Sequence, residues 1–194
     1  DPHVRKHSLE SIIPDLAKTW SWGDDGTKLT FQLNEGVTWH DGKPFTSADV
    51  KCTWDRIQGK DPAREMRFQK NPRKSWYWNL EEITTNGDYE VTFHLGQRQP
   101  SFLALLSGGH SPVYPCHVDA KTMRTSPIGT GPFKFVELKQ NERVVFEKNQ
   151  NYWKKGLPYL DGHTWTIIRS RSTRVLAFTA GEFDMTFNSD VTIP

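Results

Sequence analysis

Hydrophobic and polar residues alternate in three separate stretches of this 194-residue chain. In the first, residues 29–33 alternate after the shorter alternating run 20–22, and the turn residues Gly23-Asp-Asp-Gly26 lie between them. A period of two places alternate side chains on one face of a strand. Because glycine-rich connections between such runs are typical of tight turns, this stretch is predicted to form a β-hairpin.

Two further hairpins are predicted from the same signals. Residues 82–85 lead through Asn86-Gly87 into an alternating run over residues 89–95. Asn-Gly tolerates the positive φ angles that a tight hairpin turn requires. Residues 133–138 and 143–148 flank a second polar turn in the same way. The chain is therefore expected to be rich in antiparallel pairs.

Helical periodicity is strongest after Thr46-Ser-Ala-Asp49, which resembles a capping box with Asp at its fourth position. We expect the Thr46 hydroxyl to satisfy a free amide of the first turn. Three apolar residues then share one helix face at i, i+4 and i+7: Val50, Trp54 and Ile57. Gly59 ends this helix, and a shorter one is predicted over residues 101–106.

The C-terminal part changes character. Residues 164–169 are predicted to form a strand, Ser172 to cap a helix that ends at Gly181, and residues 183–187 to form a second strand. A strand–helix–strand unit with a crossover of about a dozen residues pairs its strands in parallel. Because parallel sheets usually contain several covered strands, we expect polypeptide outside these 194 residues to complete this sheet.

The charge balance argues against nucleic acid as a partner. The chain has 25 Lys and Arg against 23 Asp and Glu, a formal net charge of +2, and both signs are interspersed. Nucleic-acid-binding proteins usually gather positive charge on one face. The most basic run, residues 64–74, is interpreted as a solvated loop.

Two cysteines, Cys52 and Cys116, are too few for a zinc framework, which needs four closely spaced ligands. No metal site and no cofactor are therefore predicted. Cys52 lies in the predicted helix and points away from its apolar stripe, and Cys116 follows in a loop some sixty residues later. A disulfide requires Cα atoms within about 7 Å, so we expect two separate thiols, with a disulfide as the alternative.

Four stretches, in order along nearly the whole chain, resemble the motifs of one protein family. They are Pro14-Asp-Leu-Ala17 with Trp20 and Asp24-Asp-Gly26; Gly36-Val-Thr-Trp-His-Asp-Gly-Lys-Pro-Phe-Thr46 with Ala48-Asp-Val50; Ile128-Gly-Thr-Gly-Pro-Phe133; and Asn151-Tyr-Trp153 with Pro158-Tyr-Leu-Asp-Gly162 and Ala180-Gly-Glu-Phe-Asp184. This series is similar to the peptide- and nickel-binding type of extracellular solute-binding proteins, family 5.

The resemblance implies a mixed α/β fragment of a type II periplasmic-binding-protein-like fold with two lobes. Residues 1–34 would form the first segment of a discontinuous lobe one, and residues 35–127 an inserted α+β subdomain. Residues 128–194 would continue lobe one with the βαβ unit. The second lobe would be absent from this chain, since family members are considerably longer.

The resemblance also implies that the protein captures a solute, most simply a peptide, between two lobes and delivers it to the permease subunits of an ABC importer. It would act as a monomer without a cofactor, in the periplasm or outside the cell, with a lipid anchor as one form of the full-length protein. A peptide, a sugar, an opine-like compound and a metal complex all stay open as ligands.

Ligand contacts are expected where the lobes face each other. The loops after the carboxyl ends of parallel strands line such a crevice, which selects Asn188 and Ser189 after the last predicted strand. The connection after Gly108-Gly109 is the second candidate, through His110, Ser111 and Tyr114.

Two other functions are weighed against solute capture. The cluster Trp76-Tyr-Trp78 could stack on sugars in a carbohydrate-binding protein or module, although such aromatics more often close a small core. An enzyme is not expected. His40-Asp41 is interpreted as part of a turn, because catalytic pairs are usually distant in sequence. Gly129-Thr-Gly131 lacks the Lys of a phosphate loop and is interpreted as a tight crossing between subdomains.

Overall fold

The structure, a computed structural model, describes residues 12–60 and 72–186, and these residues form seven strands and four α-helices. The strands are β1 (Ala17–Trp22), β2 (Lys28–Leu33), β3 (Leu80–Asn86), β4 (Glu90–Leu95), β5 (Phe133–Lys139), β6 (Arg143–Lys148) and β7 (Gly162–Thr166). The helices are α1 (Ser47–Gln58), α2 (Phe102–Ser107), α3 (Thr122–Thr125) and α4 (Arg171–Thr179), with a 3-10 turn over Pro72–Tyr77.

The strands form two antiparallel sheets. The first sheet has the order β1-β2-β4-β3, and the second has the order β5-β6-β7. All three hairpins predicted from alternation are confirmed, as β1–β2, β3–β4 and β5–β6. Gly87, with φ of 63°, occupies the positive-φ position of the β3–β4 turn.

The two halves of the first sheet are joined by the pairing of β2 with β4, in which Phe31 lies opposite Val91. This pairing joins residues assigned above to the 1–34 segment with residues assigned to the 35–127 subdomain, in one continuous sheet. The division of the chain into lobe one and an inserted subdomain stays a prediction.

The core lies between the first sheet and α1. Alternate residues of β2 and β4 point towards the helix, and its apolar stripe is buried as predicted, with Trp54 only 3% exposed. The Trp54 ring meets Phe93 edge to face, with 5.2 Å between ring centroids, and meets Tyr77 at 6.0 Å. Edge-to-face contacts of this kind are favoured by the ring quadrupoles.

The boundaries of α1 agree with the prediction. Thr46 is the N-cap in an extended conformation and forms a capping box with Asp49, whose carboxylate accepts the Thr46 backbone N–H at 3.0 Å. Gly59 ends the helix with φ of 77°, a left-handed conformation that glycine adopts without steric cost.

The predicted parallel βαβ unit is wrong for the residues that the structure describes. Strand β7 ends at Thr166 and runs antiparallel to β6, Ser170 rather than Ser172 caps α4, and residues 183–186 form no strand. Strand β7 pairs with β6, so it needs no parallel partner from the residues after α4. Residues 183–186 pair with no strand of the described chain. Residue 187 of the predicted strand lies outside the described residues.

Within residues 12–60 and 72–186, every helix is too short or too polar to cross a membrane.

Candidate functional site

A polar face of α1 contacts the connection after α2, which carries the candidate ligand contacts His110, Ser111 and Tyr114. Asp49, Cys52, Thr53 and Arg56 lie at i, i+3, i+4 and i+7 and therefore share one side of the helix. The Thr53 Oγ1 accepts the backbone N–H of Tyr114 at 2.9 Å. Residues 114–116 are thus held against the helix by side chains rather than by a sheet.

The next two contacts involve Cys116. The Arg56 guanidinium donates to the Cys116 carbonyl at 3.0 Å, and the Asp49 carboxylate accepts the Cys116 N–H at 3.4 Å. Because Asp49 also accepts from Thr46 and from the Trp39 indole N–H at 3.2 Å, this one buried carboxylate connects the helix start, the preceding turn and the connection.

The prediction that Cys52 and Cys116 are separate thiols is wrong, since they form a disulfide with 6.3 Å between their Cα atoms. Cys52 does lie off the apolar stripe of α1, as the helix periodicity indicated. The prediction assumed that the side of α1 carrying Cys52 faces no other segment. In the structure, the connection returns to that side of the helix and brings Cys116 to Cys52, 64 residues later. Sequence separation carries no information about that return.

Ser111 is anchored inside the protein. Its hydroxyl lies 2.7 Å from the Tyr77 hydroxyl and donates to the Leu105 carbonyl at 2.8 Å. Ser111 is itself buried, and Tyr77 is among the most completely buried residues of the core. The Ser111 hydroxyl therefore fixes the path of the connection from within.

His110 and Tyr114 lie at the surface on either side of this anchor. The Trp76 ring meets the His110 ring edge to face at 5.5 Å, and Arg73 donates to the His110 carbonyl at 3.0 Å. Trp76 is 44% exposed and Tyr114 38% exposed. By the exposed ring cluster we mean the contacting pair Trp76 and His110 together with Tyr114, which lies four residues after His110 on the same connection.

Of the aromatic run Trp76-Tyr-Trp78, only Tyr77 closes the core, and both tryptophans are exposed. Sequence reasoning singled out this run but did not connect Trp76 with His110. The contact between Trp76 and His110 forms because the chain after α2 returns to residue 76. The residues of the run itself do not indicate that return. Asn188 and Ser189 lie outside the described residues, so all five candidate ligand contacts stay predictions.

His40 forms three hydrogen bonds with residues 129–131, the segment that leads from the first sheet to the second. Its Nδ1 accepts the Gly129 N–H at 3.1 Å, and its backbone N–H donates to the Gly129 carbonyl at 2.9 Å. Since Nδ1 accepts, the network assigns the ring proton to Nε2, which donates to the Gly131 carbonyl at 3.0 Å. Burial lowers the pKa of His40 below its usual value.

Asp41 pairs with His117 rather than with its neighbour His40. The Asp41 carboxylate lies 2.7 Å from the His117 Nε2, so this contact joins the turn before α1 to the residue that follows Cys116.

In the described part of the chain, no group of three or more His, Cys, Asp or Glu gathers as metal ligands would. A shallow depression beside Trp22 and Arg98 measures about 180 Å³, less than the about 300 Å³ at which small-molecule pockets typically begin.

Comparison with known proteins agrees with the motif series. Residues 11–193 match the model of the bacterial extracellular solute-binding proteins, family 5, middle region. The oligopeptide-binding protein AppA of Bacillus subtilis strain 168 is 33% identical over 96% of this chain. The glutathione-binding protein GsiB of Escherichia coli K12 is 30% identical over 89% of it. Each match covers 33% of the relative, so the chain spans about a third of their length.

A solved structure extends the similarity to the fold. The binding protein AgaA of A. tumefaciens R10, in complex with agropinic acid, superposes with a TM-score of 0.79 and 28% identity. The match covers 92% of this chain and 35% of AgaA. The expected mixed α/β fragment of a type II periplasmic binding protein is therefore confirmed.

Proposed function

Because this chain belongs to the bacterial extracellular solute-binding proteins of family 5, we propose that it captures a peptide or a similar small solute for an ABC importer and delivers it to the membrane permease. AppA is named for oligopeptides and GsiB for glutathione, which is itself a tripeptide, and AgaA was solved with agropinic acid. Two of these three ligands are peptides, which favours a peptide here.

The observation that carries this proposal is the set of side-chain attachments that hold the exposed ring cluster in place. His110 and Tyr114 lie on the connection, which is attached to α1 by the Cys52–Cys116 disulfide and by the Thr53 hydroxyl, and to the core by Ser111. Trp76 lies outside the connection and contacts it through the His110 ring. A surface ordered before binding loses less conformational entropy when the ligand arrives. Trp76, His110 and Tyr114 are therefore proposed as ligand contacts, with Ser111 positioning them; Asn188 and Ser189 keep the role predicted from sequence.

The disulfide also supports a location outside the cytoplasm. Disulfides persist in oxidising compartments such as the bacterial periplasm and are rare where thiols are kept reduced. We infer that the full-length protein works as a monomer in the periplasm or, held by a lipid anchor, at the cell surface.

A sugar ligand is the second candidate, because Trp76 and Trp78 are both exposed. Indole rings offer large apolar faces of the kind on which sugar rings stack. A peptide ligand would use the same rings for its side chains, so the ring cluster alone does not separate the two ligands.

Calorimetry on the full-length protein tests both candidates, with short peptides, glutathione and oligosaccharides as ligands. We expect saturation at one equivalent of a peptide, and about tenfold weaker binding in Trp76→Ala, equivalent to about 1.4 kcal/mol. Tyr159→Ala, which removes an exposed ring elsewhere on the chain, should bind as the wild type does. Saturation only with oligosaccharides would show that the ligand is a sugar and not a peptide. Consumption of more than one equivalent of ligand would indicate an enzyme.

The 194-residue chain alone should bind its ligand poorly. Ligand pockets typically bury about 70–90% of a small ligand, and one wall leaves much of that surface in water. Losing about 150 Å² of apolar burial would cost about 4 kcal/mol at about 25 cal/mol per Å², which converts a micromolar affinity to millimolar. Micromolar binding by this chain would place the whole site within it.

A further inference from the structure

The shallow depression beside Trp22 and Arg98 lies at the end of the first sheet where β1 turns into β2. It measures about 180 Å³ and is lined by Trp22, Gly23, Asp24, Gly26, Arg98 and Pro100. We call it the Trp22–Arg98 depression. It shares no residue with the exposed ring cluster or with the connection after α2, so it is a separate feature of the surface.

The β1–β2 turn, which forms one wall of the depression, is held by backbone hydrogen bonds. The Gly23 N–H donates to the Lys28 carbonyl at 2.8 Å. The Leu95 N–H donates to the Thr27 carbonyl at 2.8 Å, which joins the turn to the end of β4. The partly buried Trp22 ring packs against the core. This wall is therefore ordered by the sheet itself, before any ligand arrives.

The segment that carries Arg98 is positioned by one buried side chain, Asn79, which is 3% exposed. The Asn79 Nδ2 donates to the Gln97 carbonyl at 2.8 Å and to the Gln99 Oε1 at 2.9 Å, and its Oδ1 accepts the Gln97 N–H at 3.0 Å. The Arg98 side chain then lies across Gly26, where an added Cβ would come within 2.9 Å of the Arg98 Cγ. Because Gly26 has no side chain, Arg98 can follow the turn into the depression.

Opposite charges line the Trp22–Arg98 depression without pairing. In the part of the chain that the structure describes, Arg98 and Asp24 form no ion pair, either with each other or with another residue, and their side chains form no hydrogen bond. A guanidinium binds a carboxylate through two parallel N–H···O bonds. An ionised carboxylate such as that of Asp24 accepts hydrogen bonds from an ammonium group. The depression thus presents one group for an anion and one for a cation beside the rings of Trp22 and Pro100.

We propose that the Trp22–Arg98 depression binds a free α-amino acid, with the ligand carboxylate on Arg98 and the ligand ammonium group on Asp24. A ligand with both charges pairs with both side chains. A simple anion would instead be repelled by Asp24, and a simple cation by Arg98. The volume of about 180 Å³ suits one amino acid, since pockets for larger ligands begin at about 300 Å³.

This proposal does not rest on solute capture by the ring cluster, because the two sets of residues are different. Its failure would leave the solute-capture proposal standing, and the converse also holds.

NMR titration of the full-length protein with L-alanine tests the proposal, through the indole N–H signal of Trp22. Trp22→Phe assigns that signal by removing it. We expect a saturable shift in the millimolar range, as befits so small a ligand. N-acetyl-L-alanine keeps only the carboxylate and L-alanine amide keeps only the ammonium group. Each should bind at least about tenfold more weakly, because one charge-assisted contact is lost.

Variants of the two charged residues separate their roles. Arg98→Gln and Asp24→Asn should each weaken L-alanine binding about tenfold, because each removes one charged partner. Arg98→Lys keeps the charge without the planar fork and should retain part of the affinity. Trp76→Ala, which alters only the exposed ring cluster, should leave the Trp22 titration unchanged.

Four results would overturn the proposal. The first is a Trp22 signal without a saturable shift. The second is equal binding of L-alanine and N-acetyl-L-alanine, because an anion alone would then suffice. The third is unchanged affinity in both Arg98→Gln and Asp24→Asn. The fourth is loss of the Trp22 shift in Trp76→Ala, because L-alanine would then act through the ring cluster.

Discussion

The first sheet and the second sheet show the same alternation of apolar and polar residues but differ in what happens to the apolar face. In the first, Leu29 and Phe93 lie almost fully buried beneath α1; in the second, Leu138 and Trp165 keep more than half of their surface exposed. The hairpins of both sheets form, each with one register shift along its length. Alternation thus specifies a sheet with an apolar face, and a separate element must supply the layer that buries it.

The largest effect that tests this difference comes from one tryptophan in each region. Trp54→Ala should lower the free energy of unfolding by about 3–5 kcal/mol, because it opens a cavity between α1 and the first sheet. The Trp54 indole N–H has no hydrogen-bond partner among the described residues. The loss of unfolding free energy in Trp54→Ala therefore reports packing and not a broken hydrogen bond. Trp165→Ala should cost less than about 1 kcal/mol in the 194-residue chain, since its ring is already exposed. Urea unfolding of both variants checks this, and equal losses would contradict the comparison.

Removing the disulfide should weaken the first region alone. The bond joins α1 to the connection that follows α2, across 64 residues of sequence, and a disulfide typically contributes about 2–4 kcal/mol. The double variant Cys52→Ser with Cys116→Ser is compared with wild type by amide hydrogen exchange. Faster exchange in β5 and β6 as well as in β2 and β4 would show that the two regions unfold together.

Asp49→Ala should cost about 2 kcal/mol, because it leaves the amides of Thr46 and Cys116 and the Trp39 indole without their shared acceptor. Thr46→Ala changes only the cap and should cost about 1 kcal/mol. Denaturation midpoints of the two variants rank them. A larger loss in Thr46→Ala would mean that the helix cap stabilises the fold more than the buried Asp49 carboxylate does, against this prediction.

The smallest effect concerns the junction between the two regions. Because burial lowers the pKa of His40, the unfolded chain binds more protons than the folded chain between that lowered pKa and the usual value of about 6.5. Stability should therefore be fully present above about pH 6.5 and fall as the pH drops through this window. His40→Gln keeps a donor and an acceptor at the crossing but does not titrate, so its unfolding midpoint should lose this part of the pH dependence. An unchanged pH profile would exclude His40 as its source.

Local patterns predicted much of this fold because hairpins and capped helices are encoded by neighbouring residues. Asn86-Gly87 indicates its own turn, and the spacing of Val50, Trp54 and Ile57 indicates the buried side of α1. The same reasoning failed for residues 183–186, where alternation alone does not identify a strand partner. The candidate site was predictable only as a segment, residues 110–114.

The sequence by itself determined the hairpins, the limits of α1 and, through its motif series, the family. Only the tertiary structure decided that β2 pairs with β4, that Cys52 meets Cys116, and that Trp76 lies against His110. Each of these contacts joins residues 34 to 66 positions apart. Such pairs come together because burial of the common core between α1 and the first sheet brings distant segments to the same surface, and no local periodicity records which segments those will be.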